Sequence, residues 1–114
     1  MTLISSISGI RGTIGGNEGT NLTPVDVIRF TSAYGAWLLK KHQKGTVVIG
    51  RDARPSGAMI QELAQQTLIA LGIHVIDVGL STTPTVEMEV VRHKVQGGII
   101  ITASHNPKEW NALK

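Results

Sequence analysis

The sequence predicts an α/β fold, a three-layer sandwich in which a mixed, mainly parallel four-stranded sheet lies between helices. Helical and strand-like segments alternate along the chain, and the strand-like segments are short apolar runs typical of strands buried on both faces. The first strand is expected in the N-terminal segment, where residues 3–7 and 11–14 look extended around a turn at Gly9. A length of 114 residues suits one domain, which we expect to span residues 1–114.

The first helix is predicted to begin after Thr23, because Thr is a common N-cap and Pro24 fits the first helical position. Asp26 places an acid in the first turn, where the helix dipole favours it, and Gly45 ends the helix. At helical spacing, the expected apolar face consists of Val27, Phe30, Tyr34, Trp37 and Leu38.

Two more helices alternate with the remaining strands. The second is expected to begin at Ser56 and end at Gly72, and the third repeats the Thr-Pro opening at Thr83. Their inward-facing residues are predicted to be Ile60, Leu63, Ala64, Leu68 and Leu71, and then Val86, Val90 and Met88. The strands expected beside them are residues 46–50, 73–78 and 97–102.

The amino-acid composition excludes several classes of protein. Apolar residues make up 41% and charged residues 17%, as in globular domains. The net charge of +3 comes without a Lys/Arg block, so we expect no nucleic-acid partner, whereas phosphorylated ligands remain compatible. The absence of cysteine excludes disulfides and thiol chemistry. Without a membrane-length apolar run or a secretion signal, we expect a cytoplasmic protein with no membrane partner.

The last residues point to a longer protein. A new apolar segment begins at residues 111–114, and no helix-stop signal closes it before the sequence ends at Lys114. We therefore expect this chain to be the front part of a larger one.

Polar residues gather where the predicted strands end. The stretches at 51–57, 81–83 and 103–106 each follow a strand, and ligands of open parallel sheets bind at that edge. Helix N-termini at Ser56 and Thr83 would direct free N–H groups there, which suits an anion. The N-terminal glycines around Arg11 match neither nucleotide-binding glycine motif.

Several interpretations of Ser104 stay open on the residues alone. It is either an ordinary turn serine, a phosphate ligand or a nucleophile; a Ser/His hydrolase is disfavoured, because His105 is adjacent to it and no Gly-x-Ser-x-Gly stretch exists. No His or carboxylate pair has metal-binding spacing. Asp52 is expected to be structural, with a local ion pair in its turn, while the roles of Arg51 and Arg54 stay open.

Four motifs resemble the α-D-phosphohexomutases, the superfamily of phosphoglucomutase, phosphomannomutase and phosphoglucosamine mutase. The most specific is TASHNP at 102–107, followed by Asn111 and Lys114. The others, in the family's order, are SGIRG at 8–12, GRDARPSG at 50–57 and TPT at 83–85. The chain departs from the family pattern at Ala112, where the family usually has glycine.

The resemblance implies a phosphoserine at Ser104, which passes its phosphoryl group to a hexose phosphate through a hexose 1,6-bisphosphate. Lys114 would accept a proton, with His105 as a second candidate, and Arg11 would stabilise charge. Arg11, Arg51 and Asn106 would bind phosphate or substrate, and Ser104 would contact Mg²⁺ through its phosphate.

The resemblance also implies what this chain lacks. It matches the first of four family domains, so the carboxylate ligands of Mg²⁺ and the residues that select the sugar belong to C-terminal domains of the full-length protein. Glucose, mannose and glucosamine phosphates therefore all stay open as substrates, and the isolated fragment is expected to be inactive. The alternative function is a non-catalytic α/β module that binds phosphorylated ligands at the same edge.

Overall fold

Helices and strands alternate between residues 24 and 101, as the sequence predicts. The computed structural model describes residues 4–6, 9–15, 21–42, 45–80, 83–102 and 110–113. In chain order, the elements are β1 (Ile4–Ser6), β2 (Gly9–Thr13), α1 (Pro24–His42), β3 (Thr46–Arg51), α2 (Gly57–Ala70), β4 (His74–Leu80), α3 (Thr83–His93), β5 (Gly97–Ile101) and β6 (Trp110–Leu113). Among these helices, none combines the length and apolar character needed to cross a membrane.

The sheet has the order β1-β2-β6-β5-β3-β4. Its neighbours β5, β3 and β4 are parallel, which confirms a parallel three-stranded unit packed with helices. The predicted count of four strands is wrong, because the described residues form six. The sheet is mixed, but it is not mainly parallel in its pairing, since the other three neighbouring pairs are antiparallel.

The two extra strands are short. The N-terminal segment reverses between Ser6 and Gly9, which pair with each other, so it supplies β1 and β2 instead of one strand. β6 lies between β2 and β5 and runs antiparallel to both. With four residues, β6 is too short to show a periodic apolar pattern in the sequence.

Apolar residues of β3 and β5 alternate between the two faces of the sheet. Val47, Ile49, Ile99 and Ile101 pack with buried residues of α1 and α2, among them Leu38, Ile60 and Leu68. Val48 and Ile100 face the opposite side, where they pack with Val86 of α3. Successive strand residues point to opposite faces, so both faces of these strands are covered by helices.

The start of α1 confirms the predicted cap. The Thr23 hydroxyl donates a hydrogen bond of 2.6 Å to Oδ2 of Asp26, and the Thr23 backbone N–H donates to the same oxygen at 3.1 Å. The Asp26 backbone N–H donates back to the Thr23 hydroxyl at 3.4 Å. This reciprocal pair satisfies backbone groups that a helix end otherwise leaves without partners.

Three residues predicted to face the core are exposed: Trp37, Met88 and Leu71, the last at 37%. Trp37 is 55% exposed, its ring stacks on Tyr34 at 6.2 Å between centroids, and the Lys41 ammonium lies 5.1 Å from the ring centre. Met88 of α3 is 71% exposed. Trp37 precedes the fully buried Leu38 and points about 100° away from it around the helix, which places Trp37 at the edge of the apolar face.

β5 begins in a narrow gap between helices on opposite faces of the sheet. A Cβ on Gly97 would overlap the hydroxyl of Tyr34, and a Cβ on Gly98 would lie 2.7 Å from Cγ2 of Val90. Burial raises the pKa of Tyr34, and a hydrogen bond from the backbone of Gly98 partly opposes that rise. The two glycines therefore allow α1 and α3 to approach the strand closely.

Candidate functional site

The carboxyl ends of β3 and β5 lie side by side. Arg51 is the last residue of β3 and pairs with Ile101, the last residue of β5. The next backbone N–H, that of Asp52, donates a hydrogen bond of 3.0 Å to the carbonyl of Ile101. The connection from β3 to α2 therefore lies beside Thr102, which is the first residue after β5 and precedes Ser104 by two positions.

The Asp52 carboxylate is the centre of a group of hydrogen bonds at this edge. Its Oδ2 accepts a hydrogen bond of 2.6 Å from the hydroxyl of Thr102 and one of 3.1 Å from Nε of Arg54. Its Oδ1 accepts from the Arg54 backbone N–H at 3.1 Å. The side chains of Arg54 and Asp52 are 11% and 30% exposed, so this ion pair is partly shielded from water. The predicted local ion pair is confirmed, and the structural role of Asp52 stays a prediction.

Ser56 precedes α2, as predicted, but its hydroxyl does not cap the helix. It accepts a hydrogen bond of 2.8 Å from Nδ2 of Asn111, a fully buried residue of β6. The Ser56 backbone is itself helical, with φ −78° and ψ −8°. The start of α2 is thus joined to β6 by a side-chain hydrogen bond between residues that are distant in sequence.

Arg51 lies toward the β4 side of the same edge. It lines a polar cavity of about 160 Å³ with Gln61 and Asp77, among others. Gln61 Nε2 donates a hydrogen bond of 2.7 Å to Oδ1 of Asp77. A Cβ at Gly57 would lie 3.3 Å from Cδ of Arg51, so a glycine there allows α2 to begin tightly against this side chain. Whether Arg51 binds phosphate stays a prediction.

The other predicted site residues are described incompletely. Ser104, His105, Asn106 and Lys114 lie outside the described residues. Arg11 lies in β2, where its backbone pairs with Ala112 of β6; Lys114 follows two positions later in the chain. The pairing of β2 with β6 therefore brings the N-terminal motif next to the chain that leads to Lys114.

The hydrogen-bonding roles of Thr102, Ser56 and Asn111 were not predicted from the sequence. A polar amide inside a short apolar segment was the available signal for Asn111, because a buried amide needs hydrogen-bond partners. Nothing in the sequence identified Ser56 as its partner, since the two lie 55 positions apart.

Comparison with known proteins shows that the chain is similar to members of one family. Residues 4–114 match the family model described as phosphoglucomutase/phosphomannomutase, alpha/beta/alpha domain I. A phosphoglucomutase/phosphomannomutase of Thermococcus kodakarensis is 37% identical over 107 residues, which cover 93% of this chain and 23% of that protein. A phosphoglucosamine mutase of Helicobacter pylori is 37% identical over 111 residues, covering 97% and 24%.

A solved structure agrees with these relatives. The fold matches that of a Thermus thermophilus protein put forward as a phosphomannomutase, with a TM-score of 0.85 and 29% sequence identity. That match covers 100% of this chain and 26% of the Thermus chain. This chain therefore spans about a quarter of the length of the proteins that it resembles.

Proposed function

The chain belongs to the phosphoglucomutase/phosphomannomutase family, and we propose that it carries the phosphoserine of a hexose-phosphate mutase. The main support is the match of residues 4–114 to the family's domain I. Further support comes from the stretch TASHNP, which begins at Thr102, directly after β5. Because ligands of parallel sheets bind at this edge, Ser104 is suited to hold the phosphoryl group.

The proposed reaction moves phosphate between the 1- and 6-positions of a hexose. A hydroxyl oxygen of the hexose phosphate attacks the phosphorus on Ser104, and the bond from that phosphorus to Oγ breaks. The hydroxyl proton passes to a base, and a hexose 1,6-bisphosphate forms. After the bisphosphate reorients, Oγ of Ser104 attacks its other phosphorus, the bond from that phosphorus to the sugar oxygen breaks, and the base returns the proton to that oxygen. Such transfer depends mainly on positioning and charge stabilisation.

Lys114 is the proposed proton acceptor, and His105 is the second candidate. Arg11 keeps its charge at any physiological pH and is proposed to stabilise the negative charge of the transferred phosphoryl group. The pairing of Arg11 with Ala112, two positions before Lys114, supports joint action of the two cations. The other proposed phosphate-binding residues are Arg51 and Asn106.

The residues that the structure describes offer few ligands to the Mg²⁺ that the family implies. Among the residues that the structure describes, no group of three or more His, Asp or Glu side chains could hold a metal ion. We therefore propose that the phosphate on Ser104 is the contribution of this chain and that the carboxylates come from C-terminal domains of the same protein. When bound, Mg²⁺ would neutralise charge on that phosphate.

The proposed function belongs to the full-length protein. Its substrate class is hexose phosphates, with glucose, mannose and glucosamine phosphates as the candidates to assay. The 114-residue chain alone is expected to show no turnover, because the proposed metal and sugar ligands lie elsewhere.

The test is turnover of these three sugar phosphates by the full-length protein. Ser104→Ala should abolish turnover of the preferred sugar, because no oxygen remains to carry the phosphoryl group. Ser32→Ala is the matched control, since Ser32 lies within α1 and not in the connections that follow β3 and β5, and should leave the rate unchanged.

Full activity of Ser104→Ala would refute the serine as the carrier. Absence of turnover with every hexose phosphate, combined with binding of phosphorylated ligands, would favour a non-catalytic module instead.

A further inference from the structure

The chain on both sides of residues 103–109 is attached to one short connection, the turn between β3 and α2. Before the segment, Thr102 bonds to Asp52 at 2.6 Å. After it, Asn111 bonds to Ser56 at 2.8 Å. We call these four residues the loop clamp, because they join both flanks of the segment that contains Ser104 to the same few residues.

The Asp52 side of the loop clamp is held by more than one contact. Both carboxylate oxygens are occupied, since Arg54 donates to each of them through its backbone N–H and its Nε. A carboxylate held by several donors has little freedom to rotate. The hydroxyl of Thr102 therefore meets an acceptor whose position is already fixed.

The Asn111 side shows a similar arrangement. Ser, as an N-cap residue, commonly satisfies the first N–H groups of a helix, but the Ser56 hydroxyl accepts from Asn111 instead. Asn111 is fully buried, so its amide is costly unless hydrogen-bonded. The hydrogen bond between Asn111 and Ser56 therefore fixes the position of β6 relative to the start of α2.

Backbone pairing already attaches β3 to β5 without the loop clamp. The strands share five paired positions, and the Asp52 backbone N–H extends the ladder by one more bond to Ile101. Holding these strands together therefore does not require the hydroxyl of Thr102. The bond from the Thr102 hydroxyl to Asp52 is explained if it positions the chain that follows Thr102.

From this geometry, we infer that Asp52 and Asn111 are positioning residues that fix the two flanks of the segment carrying the reactive serine. The inference rests on the proposed function of Ser104. The loop clamp touches neither the transferred phosphoryl group nor the sugar in this account. Asp52 acts through Thr102 and Asn111 acts through Ser56, and together they raise the rate by keeping Oγ of Ser104 where transfer is geometrically favourable.

The experiment compares full-length variants that change the hydroxyl of Thr102. Thr102→Val removes the donor and keeps the branched shape, whereas Thr102→Ser keeps the donor. Asp52→Asn removes the charge of the acceptor. Thr31→Val is the matched control, since Thr31 is buried in α1 and its hydroxyl has no hydrogen-bond partner among the described residues.

We expect kcat to fall about 10- to 100-fold in Thr102→Val, since misplacement by about 1 Å can cost about 100-fold. KM for the hexose phosphate should change little, because the loop clamp does not bind substrate. Thr102→Ser should restore most of the rate, and Asp52→Asn should resemble Thr102→Val. Thr31→Val should keep the wild-type kcat.

Rates are compared per folded molecule, with the folded fraction measured by thermal unfolding. A Thr102→Val protein that is folded and keeps the wild-type kcat would overturn the inference. A rate loss that Thr102→Ser does not repair would also overturn it, because the hydroxyl would then not be the cause. If the wild-type protein lacks both hexose-phosphate turnover and phosphate on Ser104, the proposed function fails, and the role of the loop clamp in transfer fails with it.

Discussion

The two ends of the parallel strands are built differently. Where β3 and β5 begin, close packing dominates, because Gly97 and Gly98 lie against helices. Uncharged hydrogen bonds join the chain there: the Gln96 N–H donates to the Thr46 carbonyl at 3.2 Å, and the Thr46 N–H donates to Oε1 of Gln96 at 2.8 Å. Where the same strands end, the backbone bond from Asp52 to Ile101 is joined by hydrogen bonds to a charged side chain, the Asp52 carboxylate.

The two ends are therefore expected to contribute differently: the amino ends mainly to the stability of the fold, and the carboxyl ends to the position of the chain that follows the strands. Close packing at the amino ends excludes water and tolerates no added atoms, so changes there should mainly destabilise the fold. Charged and polar groups at the carboxyl ends cost desolvation energy, but their directional bonds specify where the following chain lies. We therefore expect substitutions at the two ends to differ in which property they alter.

The largest expected loss of stability is at the amino end. Gly97→Ala adds a Cβ where the Tyr34 hydroxyl already lies, with Cδ1 of Leu38 2.9 Å away, and should lower the free energy of unfolding by about 3 kcal/mol. Chemical denaturation of the 114-residue chain measures this change.

The double variant Gly97→Ala with Tyr34→Phe is the control. Removing the hydroxyl gives the new methyl group room, so the two changes should be less destabilising together than their sum. Additive losses would show that the hydroxyl of Tyr34 is not the obstacle.

A smaller loss is expected at the carboxyl end. Ser56→Ala removes only the acceptor of the Asn111 amide and should lower the free energy of unfolding by about 1 kcal/mol. Asn111→Ala also leaves a cavity and should cost about 2 kcal/mol or more.

A double-variant cycle isolates the bond between the two side chains. A coupling of about 1 kcal/mol in urea denaturation would identify Asn111 as the partner that gives Ser56 its effect. If Ser56→Ala is equally costly when Asn111 is already alanine, the hydroxyl stabilises α2 in some other way.

The smallest effect on stability at neutral pH is expected for a substitution of Tyr34. Burial raises its pKa above the ordinary value of 10.0 in the folded chain, so the neutral phenol is favoured by folding. The associated stability is fully present below pH 10.0 and should be lost as the pH rises through the folded-state pKa.

Tyr34 is the one tyrosine of the 114 residues, so tyrosinate absorbance in a pH titration reports it directly. Tyr34→Phe should remove this contribution to the alkaline loss of stability. A titration midpoint at or below that of an unfolded peptide would contradict the burial of this hydroxyl.

The long elements were predictable from the sequence because their signals are local. The cap at Thr23 and the glycine after the helix are enough to predict the bounds of α1, and β3 contains the β-branched apolar run 47–49. Trp37 shows what helical spacing does not predict, since a wide apolar face does not indicate which of its edge residues is exposed to solvent.

For the polar residues at the carboxyl ends of the strands, the sequence predicted the location but not the hydrogen bonds. Strand order places residues 51–57 beside Thr102, as expected from parallel strands. The bonds of Asn111 and the insertion of β6 between β2 and β5 depend on pairings across the whole chain. No local pattern encodes such pairings, because they arise from the sheet order.

The central claim is that Ser104 carries a phosphoryl group, and peptide mass spectrometry of the full-length protein from its native cell tests it most directly. We predict stoichiometric phosphate on the peptide containing Ser104, lost on incubation with unphosphorylated hexose and restored by hexose 1,6-bisphosphate. A peptide without phosphate that is not labelled by the bisphosphate would contradict the account and leave Ser104 as a turn residue.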